Sequence, residues 1–354
     1  MVLSVQSQRD WGTLVATYGY RIHTMQPQLQ RSRRFLKIED VSSAAEANDA
    51  CEQFYADVMA LKAAGTQFGT PAFFVSRQED EARQARLDDA ENLPYFTILN
   101  TSRTDRSITV TIETGREADH DGLRSRDGTL ETMSRRAAVR TSTVIYVFPV
   151  EGDYALMLSE VRGRTFVGES LTHWITRRAQ RDAVQVDEDD NKSEGPWLNW
   201  KLEPRIDGER LDGILNNSAD HSLKLRRSTV GSGGTRSTYD IELVQFGLKQ
   251  TTTERFLEVL MAMSHRIGHG TEAERRAAAA SDVLSLVEPD VGGVEFTDGE
   301  LSFSENGKKQ VITSETVDQL FIYPVGTKRL KEEGLRSHSE EVVSRIASML
   351  AIQL

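Results

Sequence analysis

The chain has a single cysteine, Cys51, among 354 residues. That excludes an intramolecular disulfide, and a cysteine-based zinc site would need ligands the chain does not hold. Cys51 lies beside Ala50, Phe54 and Tyr55 in a helical pattern, so it reads as a small buried hydrophobe rather than a nucleophile. Long apolar runs are missing too. No stretch approaches about 18 uninterrupted apolar residues, and the segment MVLSVQSQRDWG has no basic start followed by an apolar run. A cytoplasmic protein without membrane insertion is expected. Positive charge is in deficit, with 43 Lys plus Arg against 54 Asp plus Glu and a net charge of -11. This excludes the uniformly basic character of a histone-like coat or ribosomal protein and leaves room for a basic patch on an acidic body.

Catalytic signatures are sparse as well. No Gly-x-Ser-x-Gly elbow frames a serine. Gly231 to Thr235 looks like a phosphate loop, but that loop needs Lys and then Ser or Thr after its last glycine, and here Thr235 and Arg236 follow. A hairpin tip is the better reading. His265 and His269 have the four-residue spacing of paired metal ligands on a helix, yet Arg266 stands where a zinc protease has Glu, and Gly268 and Gly270 signal a helix end. Both are expected to be polar helix-end histidines. Asp153, Glu160, Glu295 and Asp298 fall on or beside predicted strands and could assemble a magnesium site. None is followed by Lys at the two-residue offset of strand-borne nuclease motifs, which favours solvated turn acids.

What is present is an ordinary globular balance, 38% apolar and 27% charged, long enough for two domains. Ser43 and Glu46 predict a capped helix to Ala64 carrying Ala50, Phe54, Val58 and Leu61. Ile108, Val110 and Ile112 alternate with Thr109 and Thr111 as in a half-buried strand. The aperiodic run Gly115 to Thr132 reads as a long exposed loop and domain boundary, dividing the chain into residues 1–135 and 136–354. Next, Val144, Tyr146 and Phe148, a Glu151-Gly152-Asp153 turn, and Tyr154 to Val161 predict a hairpin. Leu171, Trp174 and Ile175 predict a helix ending in Arg177, Arg178 and Arg181, and the acidic run Asp187 to Asp190 a surface loop.

Leu223 and Leu225 alternate with Lys224 and Arg226 ahead of Ile241, Leu243 and Val244, which predicts a second hairpin, with Arg227 where the strand gives way to the turn. Thr251 with Glu254 and Thr271 with Glu274 mark two helix starts. Asp298-Gly299 and Asn306-Gly307 predict turns of a three-stranded meander through Val294, Phe296, Leu301, Phe303, Val311 and Ile312. An amphipathic helix through Val342, Val343, Ile346, Met349 and Leu350 closes the chain. The expected class is α+β, antiparallel hairpins and meanders packed with helices, with no internal repeat.

Positive charge gathers locally. Arg21 to Lys37 holds Arg21, Arg31, Arg33, Arg34 and Lys37 and no acid; Arg162 to Arg181 holds five arginines against Glu169; His221 to Tyr239 holds Lys224, Arg226, Arg227 and Arg236 and no acid. Arginine's planar fork grips phosphate oxygens bidentately, and Gly163, Gly231 and Gly233 would let backbone amides approach the same anions. The bland alternative pairs each cluster with nearby acids such as Asp187 to Asp190 on a solvated surface.

The segment STVIYVFPVEGDYALMLSEVRGRTFVGESLTHWITRR, from Ser142 to Arg178, resembles the RexA family of phage-exclusion proteins of the lambda Rex system. The shared look is an apolar strand, the turn Val150-Glu151-Gly152-Asp153, a second strand, a Gly-containing link and a helix with Leu171 and Trp174 or Ile175. The passage through Val244, Phe246 and Leu257 is a fainter echo. This chain is longer than that family, and its Gly-rich loop and acidic run have no counterpart there. The DNA-binding subunit of the Kiwa anti-phage system has a similar profile. The resemblance implies a homodimer that binds duplex DNA with little sequence preference and acts with a membrane-protein partner; it carries over no catalytic residue and no cofactor. The expectation is therefore a non-catalytic double-stranded DNA-binding protein of phage exclusion or anti-phage defence. Its phosphate contacts would be Arg162, Arg164, Arg177, Arg178, Lys224, Arg226, Arg227 and Arg236. A metal-dependent defence nuclease is the alternative, and a scaffold whose basic clusters meet an acidic protein is a third class.

Overall fold

The computed structural model describes residues 18–30, 32–44, 49–68, 94–117, 123–124, 130–131, 137–163, 165–186, 192–216, 222–230, 236–244, 253–266, 271–285, 296–305, 308–314 and 316–353. The first elements are β1 (Tyr18–Leu29), α1 (Val41–Ala44), α2 (Ala50–Ala63), β2 (Gln67–Phe68), β3 (Pro94–Thr104) and β4 (Ser107–Glu117). A short ribbon of β5 (Leu123–Arg124) and β6 (Leu130–Glu131) precedes β7 (Ala137–Val147), β8 (Ala155–Arg162), β9 (Thr165–Phe166) and α3 (Gly168–Asp182). A second ribbon, β10 (Val184–Val186) with β11 (Lys192–Glu194), leads to β12 (Leu198–Arg205), α4 (Gly208–Asn216), β13 (Ser222–Val230) and β14 (Arg236–Val244). The rest is α5 (Thr253–His265), α6 (Glu272–Leu284), β15 (Asp298–Glu305), β16 (Lys308–Ile312), a 3-10 turn at Val317–Phe321, β17 (Ile322–Gly326) and α7 (Glu332–Met349).

This is an α+β fold built on antiparallel pairing. The main sheet runs β12-β1-β8-β7-β4-β3-β2, with β17 on the first residues of β1 and β9 on the end of β8. A smaller sheet runs β14-β13-β15-β16. Because strand side chains alternate between faces, the central strands feed two cores at once. Val144, Tyr146, Ala155 and Met157 point to one, with Phe54 and Val58 of α2 and Leu171 and Trp174 of α3. Ile145, Leu156 and Leu158 point to the other, with Tyr20, Ile22, Phe321, Leu335 and Ile346. Each such buried large side chain contributes roughly 1.5–3 kcal/mol, so one sheet anchors both layers.

The predicted hairpins form. β7 pairs with β8 from Val144↔Ser159 to Val147↔Leu156, and β13 with β14 from Ser222↔Val244 to Val230↔Arg236. The helix of Leu171, Trp174 and Ile175 spans Gly168–Asp182, and α6 has its full capping box, Thr271 with Glu274. The closing amphipathic helix is α7, with Val342 and Ile346 buried. Thr251, Glu254's side chain, Asp187 to Asp190 and Gly231 to Thr235 lie outside the described residues or side chains.

Several expectations are corrected. The helix predicted from Ser43 starts at Ala50, where Asp49 accepts from the Cys51 and Glu52 amides at 2.8 and 3.1 Å, while Ser43 Oγ donates to the Asp40 carbonyl. Thr109 does not face water: it is buried, donating to Glu332 Oε1 at 2.8 Å and accepting from Arg336, because α7 covers that face of β4. Asp298-Gly299 is not a turn. It opens β15, and a Cβ on Gly299 would stand 2.5 Å from Ala280 Cα, so glycine is what lets α6 lie on the strand. Consequently β15 pairs with β13 as well as β16, in place of a three-stranded meander; Phe296 is buried just outside the strand, Val294 lies outside the described residues, and so do Asn306 and Gly307.

Gly115 to Glu117 finish β4, and only the β5–β6 ribbon of the predicted long loop lies within the described residues. The β4–β7 ladder runs from Ser107↔Val147 to Glu117↔Ala137, so strands from either side of position 135 share one sheet. Among the described residues, no helix is long and apolar enough to cross a membrane.

Candidate functional site

The site grows from the way β8 ends. Its last residue, Arg162, pairs with Thr165 across a two-residue connection whose first member, Gly163, has φ 63, a left-handed conformation that glycine adopts without a Cβ clash. The β7–β8 ladder stops at Val144↔Ser159. Beyond it the carboxylate of Glu160 takes over, accepting the Thr143 amide at 2.9 Å. Glu160 is only 5% exposed, a burial that a carboxylate tolerates when paired. Arg329, after β17, supplies the pair with a bidentate fork, Nε to Oε1 at 2.7 Å and Nη2 to Oε2 at 2.9 Å.

Two more guanidiniums meet here. Arg140 reaches over from β7 and donates Nη2 to the carbonyl oxygens of Arg162 at 3.4 Å and Thr165 at 3.1 Å. The Arg162 guanidinium lies over the Tyr18 ring, 5.6 Å from its centroid. Burial, then repulsion from Arg162, then more weakly Arg329 hold Arg140 below the usual arginine range against the pull of Glu160. Arg329 is shifted the other way, chiefly by its hydrogen bonds to Glu160. Glu160 is thus taken by Arg329 alone, and the positive charge of Arg140 and Arg162 beside it suits an anion with several acceptor oxygens.

Of the predicted contacts, Arg162 belongs to this cluster, and Arg164 lies outside the described residues. Arg177 and Arg178 sit on the second half of α3, donating to Gln180 and to Asp182 respectively. Lys224, Arg226 and Arg227 are on β13 in the smaller sheet. There Lys224 stands opposite Glu242 on one neighbour and Glu300 on the other, and Arg226 opposite Asp240 and Asp298, with Arg226 Nη1 3.9 Å from Asp298 Oδ2. Arg227 is exposed, and the strand continues past it to Val230 rather than turning. Arg236 opens β14, and its side chain lies outside the description. The seven that are described therefore fall on four elements, β8, α3, β13 and β14, and Arg140 and Arg329, which lie beside the β8 end, were not anticipated. A nearby signal existed in the unusual Arg-Gly-Arg ahead of a predicted helix, but nothing local marks the two distant partners.

Arg21 is a further correction. Far from sharing a basic surface with Arg33, Arg34 and Lys37, it is 1% exposed, bonded to Asp318 at 2.8 Å and flanked by the Phe166 and Phe321 rings. Two strand positions on, buried His23 meets Glu169 at 2.8 Å, and burial, the first cause, pushes its imidazole below the ordinary value. Among the acids considered for a metal, Asp153 is exposed, Glu160 is held by Arg329, Asp298 neighbours Arg226, and Glu295 lies outside the described residues. His269 and the His265 side chain also lie outside. Among the described residues, no three His, Cys, Asp or Glu side chains gather so as to hold a metal. Cys51 is fully buried, and burial raises its thiol. No family model, curated protein or solved structure matches this chain.

Proposed function

We propose that the chain is a non-catalytic, cytoplasmic protein that binds duplex DNA with little sequence preference, through phosphate contacts centred on Arg140, Arg162 and Arg329. One observation carries the reading: Arg140 bonds to the backbone of Arg162 at the end of β8, beside Glu160, whose acceptor positions are already taken by Arg329 and the Thr143 amide. Guanidinium forks match phosphate oxygens, and phosphate contacts carry no base information, hence the tolerance of sequence. Phage exclusion or anti-phage defence, and a membrane-protein partner, follow from the resemblance to the RexA family and are proposed on that ground. A homodimer is proposed on charge: a body of net charge -11 repels a polyanion, and two-fold symmetry doubles the phosphate contacts of one modest patch.

Anisotropy titrations of a random duplex at several salt concentrations test this. Affinity is expected to fall steeply with salt, by a log-log slope of roughly -0.9 per phosphate contact, and scrambled sequences should bind alike. Absence of binding at low salt would end the reading.

A further inference from the structure

The charges of the arginine cluster are not evenly satisfied. Arg329 has its carboxylate, but Arg140 gives its Nη2 to two neutral carbonyl oxygens, and Arg162 faces an aromatic ring. Among the described residues neither has an acidic partner. Arg140 also donates to the backbone carbonyl of Arg162, so it reaches the strand end from which the Arg162 side chain starts. A surface that tracks a DNA backbone strings its cations out, because each diester brings one charge and the next follows along the strand. Here two cations without an acidic hydrogen-bond partner belong to one strand end.

We infer that the pair Arg140 and Arg162 seats a doubly charged phosphomonoester, the group a 5′-phosphorylated DNA terminus carries, in preference to the singly charged backbone diester. The inference rests on the DNA reading above for the source of its phosphate. A monoester carries close to two negative charges at neutral pH, matching two guanidiniums without acids, whereas a diester leaves one of them unneutralised. A terminal phosphate also exposes three free oxygens, enough to meet the fork of Arg162 and the remaining N–H groups of Arg140 together. The half-buried position of Arg140 raises the value of that neutralisation, since a cation withdrawn from water and lacking an anion is unfavourable. Burial first and repulsion from Arg162 second hold Arg140 down, and a dianion would offset the repulsion.

The test uses the full chain and one blunt duplex prepared with 5′-phosphate and with 5′-hydroxyl ends, with closed circular DNA as competitor. The phosphorylated duplex is expected to bind about tenfold tighter, the worth of roughly 1.4 kcal/mol, and circular DNA to compete poorly at equal nucleotide concentration. Arg162→Gln should erase the preference while melting like the parent. Arg140→Gln should do the same but also loosens the tie to Thr165, so its melting curve is read alongside. Equal binding of both duplexes and of circular DNA overturns the inference and leaves the backbone reading intact. Where no duplex binds at low salt, the DNA reading fails, and titration with a nucleoside 5′-monophosphate decides the seat alone: saturable binding lost in Arg162→Gln sustains it, and no binding overturns it.

Discussion

Two regions of this chain concentrate arginine, and their surroundings differ. On β13, Lys224 and Arg226 each stand opposite acids on both neighbouring strands, while Arg227 of the same run stands opposite Tyr239. At the end of β8, Arg140 bonds to the Arg162 carbonyl and Arg329 takes the single carboxylate, Glu160. A run of like charge along the chain is thus a poor guide to surface potential: sheet pairing can set it against acids, and tertiary packing can bring in arginines, such as Arg140 and Arg329, from outside any run.

Carboxylates give the sharpest way to test that contrast. Glu160 is buried with a cation, and removing it strands the Thr143 amide and leaves Arg329 without its carboxylate. Glu160→Ala is expected to lower stability by about 3 kcal/mol in urea unfolding, near the usual cost of breaking a buried pair. A loss below about 1 kcal/mol would mean that Arg329 finds water instead and that the carboxylate does not organise the cluster.

Asp57 is buried, and among the described residues no cation pairs with it. Burial pushes its carboxyl up to about 7, and the nearby Asp182 adds to the rise against the Gln53 hydrogen bond. Its native pKa lies above the unfolded one, so the folded protein binds the extra proton. Stability from this group is full below about pH 4 and is lost as pH climbs toward about 7. Asp57→Asn, which can keep the bond from Gln53, should therefore match wild type near pH 4 and exceed it by about 4 kcal/mol at pH 8. Parallel stability curves for the two proteins would show that water or a cation reaches Asp57.

Arg162→Glu compares the regions directly. It should weaken duplex binding about tenfold and flatten the salt slope by about one unit, since a lost phosphate contact acts uniformly across sequences. The smallest effect is expected on β13. Arg226→Glu places a third acid between Asp240 and Asp298, so it should cost about 0.5–1 kcal/mol of stability while changing duplex affinity less than about twofold. If Arg226→Glu instead abolishes binding with the melting temperature unchanged, the assignment of the interface to the β8 end is wrong and the hairpin is the contact.

Much of the fold was legible because its signals are local. The 142–161 hairpin announces itself by alternation around a Glu-Gly-Asp turn, and α6 by a capping box four residues wide. β1 was not legible. Arg21, His23 and Pro27 interrupt the apolar pattern, and their burial depends on partners such as Asp318, 297 positions away. Asp298-Gly299 carries a turn signature, yet the glycine serves a helix crossing, a requirement that no neighbouring residue reveals. The candidate site divides the same way: Arg162 could be picked out beside its glycine, whereas Arg329 joins Glu160 across 169 positions.

The place of β1 has a consequence for synthesis. Its first four residues pair with Ile322–Gly326, and Tyr20 stacks on Tyr323 with ring centroids 5.1 Å apart. At typical ribosomal speeds of about 5–20 residues per second, those partners emerge roughly 15–60 s after β1 does. Through that interval the nascent chain presents an unpaired strand edge, and the last closure is a long-range search that slows folding as contact order rises. Truncation anywhere before residue 322 should therefore yield a chain that relies on chaperones, however complete its earlier strands.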